Sequence, residues 1–270
     1  MNKKFSFYDD VAGLERFLNL PQDSLRNIPI YARTSAVDGI LKVREMEKTS
    51  LFRPGLYYIV LADLCANTAF NAKYGDKEGD VRTEWFQTAA IQSIGEIAVR
   101  NYVAFSKTIG DAALLIFSSF KDVYEWSERF SANLQEMTGE YPENLQIRGV
   151  EFDEEKLDQR VEDFRLRARR LVHLGEVSYK DNSDPLSLAV SQTFKIEKSF
   201  SETDLGCTQA VADAIRPKLD ELGLELQENQ RVQIPGAGDV MSYYVRNRML
   251  KGSQRKKRQR TNEPHSSDRK

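Results

Sequence analysis

The sequence predicts an α+β or α/β sandwich built on a mixed sheet, and three observations predict it. The run LYYIVLAD, Leu56 to Asp63, is continuously apolar and rich in β-branched and aromatic residues, as in a strand buried on both faces. The stretch NYVAFSKTIGDAALLIF reads as two strands joined by a tight turn at Gly110 and Asp111. Along the chain the patterns run strand, helix, hairpin, helix, strand, helix, strands, an order that layers helices on a sheet.

Residues 1 to about 50 read as a short leader, with VAGLERFLNL as one helix and DGILKVREMEK of mixed pattern. The ordered pattern starts with the Leu56 strand. Thr83 to Arg100 has apolar residues at helical spacing, with Thr83 as its N-cap and with Trp85 and Phe86 packing it on the sheet. The hairpin follows, and Phe120 to Met137 is helical. Glu140 to Asp158 is polar and acidic around a short apolar segment and receives no assignment. Leu166 to Val177 reads as a strand, and Leu186 to Phe200 as a helix. Asp204 to Leu222 reads as another helix, broken at Arg216-Pro217. RVQIPGAGDVMSYYV gives two strands around a Gly-rich turn. From Lys251 the chain is polar, basic and without periodicity, as in a disordered tail. The expected organisation is a leader over 1–50, one domain over 51–248 and a tail over 249–270.

Composition narrows the function classes. A net charge of -2 gives no reason to expect a nucleic-acid partner, and the basic tail is too local to change that. Two cysteines in 270 residues are no disulfide framework, which points to a reducing cytoplasm. The N-terminus lacks the apolar segment of a signal peptide, and no apolar run approaches the roughly 20 residues that span a bilayer. Cys65 has no histidine near it in sequence and reads as a small packed residue; His173, inside an apolar strand, reads as a core histidine. The Arg-rich run Arg165 to Arg170 reads as a solvated face.

Two carboxylates stand out. Asp63 ends a buried strand, and Asp111 sits in the hairpin turn between two apolar runs. A buried strand tolerates a charge only if something compensates it. If the two strands are neighbours the acids converge, and converging carboxylates need a cation between them; hard divalent ions prefer such oxygen ligands. Two unrelated turn aspartates would have the same spacing.

The surrounding residues decide between these readings. Asp63-Leu64-Cys65-Ala66-Asn67-Thr68 resembles the first metal-binding strand and loop of the class III nucleotidyl cyclases, roughly D-I-x-G-F-T. Lys107-Thr108-Ile109-Gly110-Asp111 resembles their second metal motif, K-x-I-G-D. HLGEV, from His173, is similar to their central strand, and Asp184, Ser191 and FKIEK resemble the helix D-x(6)-N-x-x-x-R-x-E. IPGAGDVMSYYV resembles their closing hairpin. The matches follow family order from about residue 56 to 246.

The resemblance implies an α+β cyclase domain, a ferredoxin-like mixed sheet with helices packed on it, working as a head-to-tail homodimer. It implies two metal ions per site, Mg2+ or Mn2+, on Asp63, Asp111 and the Leu64 carbonyl. It implies a nucleoside triphosphate substrate, cyclised with loss of pyrophosphate. Backbone N–H groups of Cys65 to Thr68 would cradle phosphate where the strand leads into a helix. The family's Asn/Arg pair falls on Ser191 and Lys195, supplied by the partner; Lys195 keeps the charge but loses the bidentate fork. The family's phosphate-binding Lys falls on Pro235, with Arg231 as a possible substitute. Lys107 and Asp184 fall where adenylyl cyclases hold adenine. The short stand-alone plan, however, is similar to the bacterial pyrimidine (Pycsar) cyclases of anti-phage defence, which signal to a separate effector protein. That likeness favours UTP, then CTP, then ATP, with Tyr58 and Arg100 as base contacts by residue type. A catalytically silent, dimerising cyclase fold is the remaining alternative.

Overall fold

A computed structural model describes residues 54–98, 103–147, 156–179, 185–201 and 204–248. The expected leader and tail, Arg100 and Asp184 lie outside these residues. The elements are β1 (Gly55–Leu64), α1 (Asn67–Tyr74), α2 (Asp76–Ala98), β2 (Val103–Ile109), β3 (Ala112–Phe117), α3 (Phe120–Ile147), α4 (Leu157–Phe164), β4 (Ala168–Tyr179), β5 (Pro185–Leu186), α5 (Leu188–Ile196), β6 (Leu205–Thr208), α6 (Gln209–Ile215), α7 (Leu219–Leu222), β7 (Leu224–Ile234) and β8 (Gly238–Asn247).

The strands form one sheet in the order β2-β3-β1-β4-β6-β8-β7, with β5 paired to β4. Among the described strands only β4 and β6 pair in parallel, so the sheet is mixed. β1 lies between β3 and β4 and is covered on both faces, which is why its sequence shows no polar alternation. Its even residues, Val60, Ala62 and Leu64, enter a core shared with α2, α3 and α6. Its odd residue Ile59 joins Ala189 and Val190 of α5 on the other face. The sheet thus separates a thick helical layer from a thin one made mainly by α5.

Four expectations need correction. The first long helix begins at Asp76, not Thr83, so Thr83 is no cap; its hydroxyl instead accepts from Asn67 Nδ2 at 3.1 Å. Leu205–Thr208 is strand β6, and the helix starts only at Gln209. The second long helix continues past Met137, through Pro142, to Ile147. Arg165 to Arg170 is not a solvated face: Arg165 and Arg167 are exposed, but Arg170 is buried and donates to the Ser127 carbonyl at 2.9 Å. The remaining arginine, Arg169, belongs to the site.

Candidate functional site

The register of β1 builds the site. Asp63 stands opposite Ala112 of β3 on one side and Arg169 of β4 on the other. Because Ala112 follows the hairpin turn, that pairing brings Asp111 to the end of β1, and Leu64 N–H donates to the Asp111 carbonyl at 2.9 Å. Gln87 of α2 holds the same turn, donating to the Gly110 carbonyl at 2.6 Å. Gly110 has φ 58°, a left-handed conformation that lets the turn close tightly. The two aspartates and the Leu64 backbone therefore meet at one corner of the sheet.

Arg169 sits against the first acid. Its Nη2 lies 2.9 Å from Asp63 Oδ2, and its Nε lies 2.6 Å from Glu197 Oε1. Glu197 opens the 3-10 turn Glu197–Ser199 that ends α5. Burial, then the neighbouring Asp63 charge, pushes the Glu197 carboxyl up to about 7, against the pull of Arg169. One guanidinium is thus shared by two carboxylates in a half-covered place.

The second acid is approached from the other side. Asn67, the first residue of α1, reaches Asp111 Oδ2 with its Nδ2 at 3.4 Å. Its Oδ1 accepts from Arg82 Nη1 at 3.2 Å. Arg82 is wholly buried. It also donates to the carbonyls of Phe164 at 2.9 Å, Cys65 at 2.8 Å and Arg165 at 3.0 Å. The sharp bend between β1 and α1 turns on Ala66, which has φ 58°.

α5 lies along β4 in a ladder of face-to-face positions. Glu197 meets Arg169, Gln192 Oε1 lies 3.3 Å from His173 Nε2, and Ala189 sits against Gly175. Burial pushes the His173 imidazole below its ordinary value, and its Nδ1 pairs with Thr208 Oγ1 at 3.0 Å. Ser191 and Lys195 lie on the opposite, exposed face of α5, one turn apart. The chain's own α5 therefore does not bring them to Asp63 and Asp111. A groove of about 710 Å³ opens at the start of α5, with His173, Gly175, Ser187 and Gln192 in its wall.

No family model matches the chain, and no curated protein matches it. Solved structures do. The adenylyl cyclase CyaB from P. aeruginosa shares 10% identity at a TM-score of 0.50, over 72% of this chain and 95% of that one. The guanylyl cyclase Cya2 shares 14% at 0.52, over 72% and 93%. The chain has the class III nucleotidyl cyclase fold.

Within this cyclase fold the remaining predicted residues separate into groups. Thr68 is exposed in the first turn of α1 beside the aspartate corner. Lys107 is exposed on edge strand β2, opposite Leu114. Tyr58 points to the other face from Asp63 and packs edge-on to Phe120 at 5.8 Å, so the fold does not bring it to the acids. The Cys65 N–H already donates to the Arg167 carbonyl at 2.8 Å, which removes it from any phosphate cradle. Pro235 serves by its carbonyl, accepting from Gln192 Nε2 at 2.6 Å, and Arg231 is exposed on β7. Arg169, Arg82 and the Asn67 side chain received no site role from the sequence, and Glu197 entered only as the closing Glu of the helix resemblance. Parity was the available signal for Arg169: it shares a β4 face with Leu171 and His173, and a charge on a covered face needs partners.

Divalent ions are the fold's implied cofactor, and the donors fit them. Among the described residues, no three His, Cys, Asp or Glu side chains gather as a metal cluster. The corner offers instead two carboxylates and a backbone carbonyl, all hard oxygen donors. Mg2+ is commonly held by one or two carboxylates with substrate phosphates completing its shell.

Proposed function

We propose that this chain is a metal-dependent nucleotidyl cyclase that converts a nucleoside triphosphate, UTP in the first instance, into a 3′,5′-cyclic nucleotide and pyrophosphate. The observation that supports this most is the β1–β3 register, which sets Asp63 and Asp111 at one corner of a cyclase-fold sheet. Asp63, Asp111 and the Leu64 carbonyl are the residues that would hold Mg2+ or Mn2+. Such ions, when bound, neutralise triphosphate charge and favour ionisation of the attacking 3′-hydroxyl.

The chain's own residues do the rest by position and charge. Arg169 and Glu197 fix the Asp63 carboxylate. The exposed face of α5 offers Ser191 and Lys195 to a second copy, where the ammonium faces charge building on the α-phosphate and the hydroxyl orients the ribose. Exposed Leu188 and Phe194 on the same helix suit burial against that copy. Lys107 and Asp184 are the proposed base contacts, with Arg100 a candidate by type. UTP stands ahead of CTP and ATP because the FKIEK stretch, Phe194 to Lys198, is similar to the F-R-x-E-K form of the bacterial pyrimidine cyclases. That likeness also supports a signalling role in anti-phage defence through a separate effector. Among the described residues no helix is long and apolar enough to cross a membrane.

One second reading has a specific observation behind it. Ser191, Lys195 and Pro235 depart from the family's Asn, Arg and Lys, as in a dimerising domain without activity. Incubating the full chain with each nucleoside triphosphate and Mn2+ decides the matter. Cyclic UMP is the expected product. A purine product would move the substrate assignment, and no product from any triphosphate would favour the silent domain. Asp63→Asn and Asp111→Asn should each lower turnover at least about 100-fold; full activity in either removes the metal assignment.

A further inference from the structure

Among the described residues, Asp63 has a cation directly on its carboxylate, whereas Asp111 meets an amide, and that amide has its orientation imposed on it. A guanidinium is a donor without acceptor capacity, so the end of Asn67 that faces Arg82 must be its oxygen. The NH2 end is then forced toward Thr83 Oγ1 at 3.1 Å and Asp111 Oδ2 at 3.4 Å. Arg82 cannot itself swing away. It is buried, it spans three backbone carbonyls from two separate segments, and its guanidinium carbon lies 5.2 Å from the centre of the Phe70 ring.

We infer that Asn67, oriented by Arg82, is a positioning residue for Asp111. The amide fixes the direction of that carboxylate and, through it, the affinity of the corner for a divalent cation. The inference rests on the proposed metal role of Asp111. Its logic is that of a neighbour which orients a ligand without touching the ion; loss of such a neighbour typically costs about 10–100-fold in metal affinity. The same web ties the β1–α1 bend to the segment before β4, so one buried arginine sets both the backbone of the corner and the side chain that closes it.

Binding of Mn2+ to the full chain, without nucleotide, tests this by following the free-ion electron paramagnetic resonance signal. Four proteins are compared: the native chain, Asn67→Ala, Asp111→Ala and the double variant. Asn67→Ala should weaken Mn2+ binding about 10–100-fold. The double variant should bind no more weakly than Asp111→Ala alone, because Asn67 acts only through that carboxylate. Native-like binding by Asn67→Ala beside weakened Asp111→Ala overturns the inference and leaves the metal role standing. A further loss in the double variant also overturns it, since Asn67 would then act independently. Native-like binding by Asp111→Ala removes the metal role and the inference with it. Should Asn67→Ala not fold, Asn67→Ser keeps a polar residue at the start of α1 but is too short to reach both partners, and the same comparison applies.

Discussion

Asp63 sits where a strand covered on both faces runs out, and Arg169 together with Glu197 makes a charge there tolerable. Replacing Arg169 by Leu leaves Asp63 and Glu197 side by side without their shared cation. Because the site is only partly covered, we expect a loss of about 1–3 kcal/mol in urea unfolding, less than for a fully buried pair. Glu197→Gln in the same background should recover part of it. If Arg169→Leu unfolds at the native midpoint, the ion pairs contribute nothing. His173 carries a different expectation. Its imidazole is held below the ordinary value by burial, so the unfolded chain binds a proton that the folded chain refuses. Its contribution to stability is therefore complete above about pH 6.5, the unfolded value, and is lost as pH falls from there through the lower folded value. His173→Gln should flatten the fall, read as unfolding midpoints from about pH 7.5 down to about 5.5. A native-like slope in the variant would assign the acid sensitivity elsewhere. At this scale the sequence was legible where residue type was rare for its setting. Asp63 in an apolar run and Asp111 in a Gly turn stood out. Asn67 and Arg82 did not, because their side-chain roles come from partners 15 to 44 residues or more away, and Glu197 was marked only as the closing Glu of the FKIEK resemblance.

Among the elements, α5 shows most directly how packing places chemistry. It lies on β4 closely enough that a Cβ on Gly175 would stand 2.3 Å from Ala189 Cβ, a distance real atoms do not adopt. Gly175→Ala must therefore lift the start of α5 from the sheet. We expect a cost of about 1–3 kcal/mol, measured as a lowered unfolding midpoint. A midpoint equal to the native one would mean that α5 slides freely on β4. The elements read most directly from sequence were β1, an uninterrupted apolar run, the β2–β3 hairpin and the Gly-rich turn between β7 and β8, although β7 itself starts at Leu224, before the expected Arg231. The errors have physical causes. The first turns of α2 are polar and contain Gly79, so they look like a loop; the glycine fits because Asn71 Oδ1 stands 1.9 Å from where its Cβ would be. β6 has only four residues, LGCT, too short to show a period of two before the apolar pattern of α6 begins. In α3, the polar, acidic stretch from Glu140 hid the last turns, yet the helix continues through Pro142 because Tyr141 and Leu145 on either side are buried in the core.

Considered as one molecule, the chain has the cyclase fold at 10% identity to CyaB and 14% to Cya2, so most side chains can change while the fold stays. The residues of the proposed chemistry lie in two places. The aspartate corner lies at the C-terminal end of β1, whereas Ser191 and Lys195 face outward from α5. On the proposed reading each copy carries two half-sites, the acids in one and Ser191 with Lys195 in the other, and two copies arranged head to tail would join each half to its complement twice. This can be tested by mixing. One variant carries Asp63→Asn with Asp111→Asn; the other carries Ser191→Ala with Lys195→Ala. Each alone should form no cyclic nucleotide. Mixed in equal amounts and allowed to exchange, half of the dimers become mixed, and each mixed dimer regains one site of two, so activity should return to roughly a quarter of the native level. Leu188→Asp in both chains, which sets a charge on the exposed apolar ridge of α5, should prevent that recovery without unfolding either chain. If two folded, exchanging variants recover nothing, the active site is not shared between copies and the roles of Ser191 and Lys195 fall. If the Lys195 variant alone keeps native turnover, the charge at the α-phosphate comes from another residue.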